Sequence, residues 1–306
     1  MDLDHDGIPD LISGSWPGQL YFFKGQANGT FAEPTILKDR DGEPIKVGNA
    51  STVFACNFRG TGRLDLLCGN IDGEVLLVPN EGSPTEPAYG LPEKIKADDK
   101  VIKVPHGDSH PIWVDWDQTG QPGLMAAAGD GSVLWYRNRG TPESPAFGPG
   151  EPLVPAGSYG EQDEKGDKSS PRHGYRAKIC VADVNGDGKL DLLLGDFGME
   201  FGPTLNLSAE DQKAQAEARE KMAEFDKKFR KLYEELGNPQ EEPPNETAEQ
   251  RADRLKRLER LKEGAMKLSM EMQPIYQTMS KFERPSKPRG NVWYFERLEV
   301  RKSAAK

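Results

Sequence analysis

Apolar residues fall into short runs separated by acidic and glycine-rich stretches, and the arrangement repeats. Leu11-Ile12, Leu66-Leu67-Cys68, Leu124-Met125-Ala126 and Leu192-Leu193-Leu194 each follow a stretch built around a glycine: Asp2 to Asp10, Asn57 to Asp65, Asp115 to Gly123 and Asp183 to Asp191. A glycine-containing turn comes next (Trp16-Pro17-Gly18, Asp72-Gly73, Asp130-Gly131). A second run, rich in β-branched and aromatic residues, follows it: Leu20-Tyr21-Phe22-Phe23, Val75-Leu76-Leu77-Val78, Val133-Leu134-Trp135-Tyr136. Such runs read as strands, and Asp-Gly between two of them is a strong hairpin signal. A third block recurs, since Gly29-Thr30-Phe31-Ala32-Glu33-Pro34 resembles Ser144-Pro145-Ala146-Phe147-Gly148-Pro149. Each repeat therefore predicts four short strands, A to D, with the acidic stretch joining A to B.

The last repeat is interrupted. Strand B ends near Gly195-Asp196-Phe197, about 90 residues intervene, and Arg289 to Phe295 then reads like Gly131 to Tyr136, as a delayed strand C. The insertion carries a different period. Ala218, Met222, Phe225, Phe229, Leu232 and Leu236 alternate steps of four and three, as do Leu258, Leu261, Ala265, Leu268, Met272, Ile275 and Met279. That spacing keeps one narrow apolar seam on each of two helices. Ser208 with Asp211 caps the first, Gly237-Asn238-Pro239 stops it, and Pro243-Pro244-Asn245 precedes the second. Pro274 is expected to kink or end the second. The expected divisions are 1–203, 204–288 and 289–306.

Repeats of about 55–70 residues with four short strands predict an all-β propeller of four, or five, four-stranded blades with an inserted antiparallel α-helical coiled-coil hairpin. The aspartate loop with its trailing leucine resembles the FG-GAP/VCBS propeller repeats of integrin α-subunit heads and many secreted proteins, over residues 1–200 and 289–300. The resemblance implies structural Ca²⁺ in the loops and a ligand face at the opposite end. The first repeat begins inside its A–B loop, which suits either part of a longer chain or a ring closed by Phe295–Arg301.

The composition fits. Only 35% of the 306 residues are apolar and the mean hydropathy is −0.72, too lean for one large core. A net charge of −10 argues against a nucleic-acid partner bound through phosphate neutralisation. No run of eighteen apolar residues suggests a membrane span, and no signal peptide is visible. Three cysteines (Cys56, Cys68, Cys180) are too few for a disulfide scaffold.

Within the acidic loops, positions 1, 3, 5 and 9 with the carbonyl of position 7 form a hard oxygen set suited to Ca²⁺, and a glycine at position 6 permits the sharp turn. The ligands are Asp2, Asp4, Asp6, Asp10 and the Ile8 carbonyl in the first loop, and Asp183, Asn185, Asp187, Asp191 and the Lys189 carbonyl in the fourth. The second loop departs from the pattern: Arg59 stands at a ligand position and is expected to pair with Asp65. The third ends on Gly123. Neither is expected to hold a metal.

Because A and B are antiparallel, the segments preceding each strand A lie at the other end, around a channel mouth. His106, Asp108, His110, Arg172, His173, Tyr175, Arg176 and, from a B–C turn, Trp16 are the candidate ligand-binding residues. No motif fixes catalytic chemistry. The primary expectation is a non-enzymatic, calcium-stabilised module that binds a carbohydrate or protein outside the cytoplasm. The alternatives are a lyase-like polysaccharide enzyme at the mouth and an assembly scaffold acting through the helices. Self-association through an open blade edge or the helical hairpin is a further expectation.

Overall fold

The apolar runs form antiparallel sheets in chain order. β1 (Leu11–Ser13), β2 (Tyr21–Phe23) and β3 (Thr35–Ile36) make a three-stranded sheet. β4 (Thr52–Cys56), β5 (Asp65–Gly69), β6 (Val75–Val78) and β7 (Glu93–Lys94) make a four-stranded one, followed by a hairpin of β8 (Lys96–Ala97) and β9 (Lys100–Val101). β10 (His110–Val114), β11 (Gly123–Ala127), β12 (Val133–Tyr136) and β13 (Glu151–Val154) make a second four-stranded sheet. The last sheet contains β14 (Tyr175–Ala182), β15 (Asp191–Phe201), β16 (Ser286–Arg289) and β17 (Val292–Phe295). The structure is a computed structural model and describes residues 1–157, 173–203, 205–236, 246–283 and 285–298.

The repeats share one register. Leu11 faces Phe23, Leu66 faces Val78, Leu124 faces Tyr136 and Leu192 faces Phe295, so the delayed run Val292–Phe295 does return to β15 as its third strand. Two features differ from the expectation of uniform blades. Only the second and third sheets show strands A to D in simple order. In the last, β15 continues for eleven residues to Phe201 and pairs with β16 as well as β17, because the two ends of the insertion leave and re-enter the sheet side by side. Among the described residues no sheet closes on itself.

A sequence so poor in apolar residues manages with three thin cores rather than one. Side chains alternate along a strand, so a strand between two neighbours can bury both faces. Leu66 and Cys68 of β5 join Leu20, Ile45 and Val78 on the side of the first sheet, while Leu67 packs with Leu124, Ala126 and Phe147 of the third. Met125 and Ala127 of β11 in turn pack with Ile179, Leu192 and Leu194 of the last sheet. Every residue of β5 and β11 is buried. Cys56 and Cys68 are buried free thiols, and Cys180 is exposed.

A repeated joint links successive sheets. Ala50, Asp108 and Arg176 hold equivalent places in the strand register, two residues before Thr52, His110 and Lys178, which face Gly69, Ala127 and Gly195; all three have left-handed backbone (φ 49°, 53° and 56°). Their amides donate to the carbonyls of Trp16, Ile71 and Gly129, just beyond β1, β5 and β11 of the preceding sheets, at 2.8, 3.0 and 2.8 Å. The next residues repeat the contact: Ser51 to Ser15, Ser109 to Asn70, Ala177 to Ala128. A non-glycine residue with positive φ is uncommon and persists only where its surroundings enforce it.

Residues Phe201–Lys287 form a separate compact unit. It holds α1 (Ala209–Leu236) and α2 (Ala248–Ser280). Ser208 and Asp211 exchange hydrogen bonds at the start of α1 (Asp211 N to Ser208 Oγ 3.1 Å), the expected cap. At α2 the cap is Thr247 with Gln250, a capping box that the prolines upstream concealed. Gly237–Pro239 and Pro243–Asn245 lie outside the described residues. α2 runs through Pro274 to Ser280; proline does not end it. The helices pack through the expected seam: Ala218, Phe225 and Leu261 are buried, and Leu232 lies against Gly264 while Lys228 reaches Glu271, so the contacts run antiparallel.

Leu194 is fully buried opposite Trp293. Leu194→Ala is expected to cost about 2–5 kcal/mol, read as a lower urea midpoint by tryptophan fluorescence.

Candidate functional site

The four acidic loops share one backbone. Position 4 is left-handed in each (His5, Gly60, Gln118 and Gly186, φ 57°, 64°, 54° and 76°), as is the position-6 glycine (Gly7, Gly62, Gly120 and Gly188, φ 85°, 75°, 80° and 82°). The position-1 side chain closes the turn by accepting from that glycine's amide: Asp2 at 2.9 Å, Asn57 at 3.0 Å, Asp115 at 2.8 Å and Asp183 at 3.0 Å.

Position 9 serves as a clamp. Asp10, Asp65 and Asp191 are buried acids. Each accepts from the amide two residues beyond the partner run's last facing residue: Asp10 from Gly25 at 2.8 Å, Asp65 from Asn80 at 2.7 Å, Asp191 from Arg297 at 3.0 Å. A second bond comes from the loop entry: Leu3 to Asp10 (2.8 Å), Arg59 to Asp65 (3.3 Å), Val184 to Asp191 (3.1 Å). The Arg297 amide holds the Asp191 carboxyl below the usual range, although burial pushes the other way. In the third loop Gly123 takes the place, and the Trp135 ring occupies the space a Cβ would need.

The loops differ in charge compensation. Arg59 fills the second as expected, its guanidinium donating to Asp65 from Nη2 at 2.8 Å and from Nε at 3.2 Å. In the first, Asp2, Asp4 and Asp10 each bring a carboxylate oxygen within 4.8 Å of the others, the one such cluster among the described residues. Lys24 Nζ meets Asp4 and lies 2.8 Å from Asp6. In the third, Arg137 meets Asp117. In the fourth, Asn185 Nδ2 donates to Glu296 at 3.2 Å, and Lys189 Nζ lies 3.4 Å from Asp187. Hard carboxylate and amide oxygens in the first and fourth loops fit a Ca²⁺ donor set; the second and third do not.

At the opposite ends of the same strands lies a cavity of about 460 Å³, lined by Ile71, His106, Asp108, Gly129, Asp130, Gly157, Tyr175 and Arg176. It sits where two consecutive joints meet, so strand pairing and not loop chance positions its walls. Asp108 and Arg176 are equivalent residues of neighbouring sheets, and they bond each other: Arg176 Nε to Asp108 Oδ2 at 2.7 Å, with Lys178 Nζ at 3.1 Å from Oδ1. Burial would raise the Asp108 carboxyl, but Arg176 and Lys178 outweigh it and hold it below the usual range. Desolvation holds Lys178 below the ordinary lysine value.

Of the residues expected at the mouth, the structure brings together His106, Asp108, Tyr175 and Arg176. His110 and His173 are not among the lining residues. His110 Nδ1 accepts from the Ile179 amide at 3.2 Å, and desolvation, with the Lys178 charge, lowers its pKa to about 4. His173 is buried, its Nε2 is 3.1 Å from the Gly131 carbonyl, and its ring meets Trp293 and Phe295 edge-on. Trp16 is 71% exposed and lies in the first repeat at the place of Ile71 and Gly129, away from the cavity. Arg172 lies outside the described residues. Ile71 and Gly129 went unforeseen, although each stands two residues beyond strand B and could have been found by extending the repeat alignment.

With this geometry in view, comparison with known proteins adds three findings. Residues 2–68 match the model of an FG-GAP-like repeat, so the chain carries an FG-GAP-like repeat. No curated protein matches it. Among solved structures, it is similar to a lectin of Agrocybe aegerita described in terms of specific recognition of non-reducing terminal N-acetylglucosamine, with 17% identity and a TM-score of 0.38, over 64% of this chain and 47% of that one. The chain thus spans about half the length of that lectin.

Because His110 is neutral in the fold and ionises near pH 6.5 when unfolded, its contribution to stability is present above pH 6.5 and is lost as pH falls toward 4. His110→Asn, which keeps an acceptor for Ile179, is expected to flatten that decline, measured as urea midpoints at pH 7 and 4.5.

Proposed function

We propose that this chain is a ligand-binding β-propeller module, stabilised by Ca²⁺ in its aspartate loops, that takes a carbohydrate into the cavity at the opposite ends of the strands, outside the cytoplasm. The cavity carries this reading. Its volume falls in the range of small-molecule sites, about 300–1,000 Å³. Its lining offers donors (Arg176, His106), acceptors (Asp108, Asp130) and an aromatic side chain (Tyr175), a set suited to a polyhydroxylated ligand. Tyr175 is fixed edge-on against Phe197, with ring centroids 5.2 Å apart. The left-handed backbone at His106, Asp108 and Arg176 lies at this cavity, which is where strain is expected if the site is functional.

In the propeller reading, the sheets stacked through repeated joints are blades, and the paired helices are a coiled-coil hairpin inserted in the last blade. Asp183, Asn185, Asp187, Asp191 and the Lys189 carbonyl would hold a Ca²⁺, and Asp2, Asp4, Asp6, Asp10 and the Ile8 carbonyl form a second oxygen set of the same kind. The ion would neutralise the gathered acids and tie the loop together. Millimolar Ca²⁺ outside the cytoplasm suits sites of this kind. The FG-GAP-like repeat at residues 2–68 supports the propeller reading. Among the described residues no helix is long and apolar enough to cross a membrane.

Screening the whole chain on a glycan array with a uronate panel is expected to yield binders, and Arg176→Ala to weaken the best of them at least tenfold, about 1.4 kcal/mol. Turnover of a bound polysaccharide would favour the enzyme, and retention of a protein ligand alone would replace the carbohydrate. Removing Ca²⁺ with a chelator is expected to lower the melting temperature, and Asp187→Ala to shrink that shift.

A further inference from the structure

The residue that follows β2, β6, β12 or β17 in its repeat faces position 9 of the aspartate loop. The shared register makes these residues equivalent: Lys24, Pro79, Arg137 and Glu296. In the first and third repeats that residue is a cation, and it reaches the loop's acids. Lys24 Nζ bridges Asp4 and Asp6, and Arg137 meets Asp117. In the second repeat Pro79 can supply no charge, and the cation comes from within the loop, as Arg59 on Asp65. In the fourth the equivalent residue is an acid, Glu296, hydrogen-bonded to Asn185.

We propose that Lys24 is a tethered counter-cation of the first aspartate loop, standing where a divalent ion would otherwise neutralise Asp4 and Asp6, so that this loop is closed without metal. The inference rests on the calcium reading of the loops and limits it. The first loop has a full set of oxygen donors but also its own cation. The ammonium is covalently held a few ångströms away, so it competes at high effective concentration, and Ca²⁺ must break both contacts to enter. In the fourth repeat the equivalent place on the neighbouring strand holds Glu296 instead of a cation. The fourth loop's own Lys189 lies farther off, at 3.4 Å from Asp187.

Calorimetric Ca²⁺ titration of the whole chain tests this, with Lys24→Gln, Asp187→Ala and the double variant, and with thermal melts alongside. The wild type is expected to bind one ion through the fourth loop, and Lys24→Gln two. In the Asp187→Ala background, which isolates the first loop, Lys24→Gln is expected to raise Ca²⁺ affinity at least tenfold. Without metal, Lys24→Gln is expected to melt below the wild type and to recover on adding Ca²⁺. If Ca²⁺ binds, Asp187→Ala removes a site, and Lys24→Gln changes neither stoichiometry nor affinity, the lysine proposal fails and the calcium reading stands. If no variant binds Ca²⁺, both fail.

Discussion

The structure depends on one contact made three times. A residue forced into left-handed backbone presents its amide to a carbonyl at the end of the previous sheet, as Ala50 to Trp16, Asp108 to Ile71 and Arg176 to Gly129. That contact fixes how far each sheet stands from the last, and hence which side chains meet between them. The cores between sheets are thin and are made of alternating residues, so a slip of one residue would turn Leu66 and Leu67 to the wrong neighbours. The joints and the buried clamps Asp10, Asp65 and Asp191 hold the register at the two ends of the strands.

The two ends do different work. At one, acids are gathered in tight loops and bonded to their own backbone; they are arranged for closure. At the other, two joints leave a cavity whose polar groups point inward from rigid strand ends. Arg176 and Asp108 belong to both the joint and the cavity. A side chain that links adjacent sheets also lines the cavity, so cavity and fold are coupled.

Much of this was legible in the chain because the repeats are spaced in sequence as in space. Leu66, Leu124 and Leu192, the delayed strand at Val292–Phe295, the Arg59–Asp65 pair and both helical seams follow from pattern alone. What was not legible depends on which way a side chain turns. His110 and His173 stand beside the mouth in sequence, but the His110 ring turns to the Ile179 amide and the His173 ring packs edge-on against Trp293. The extension of β15 to Phe201 and the Thr247 cap were hidden because insertion ends and prolines obscure period. Lys24 carried no motif; its meaning appears only when the strand register sets it opposite Asp10, equivalent to Arg137 and Glu296.

The central claim is that ligand binding and loop closure occupy opposite strand ends. Hydrogen–deuterium exchange of the whole chain, with and without a glycan selected by the array, tests it most directly. The account predicts slowed exchange confined to 106–109, 129–131 and 174–177, with 115–120 and 183–190 unchanged. Slowing centred on the aspartate loops, with the joints unaffected, would contradict it.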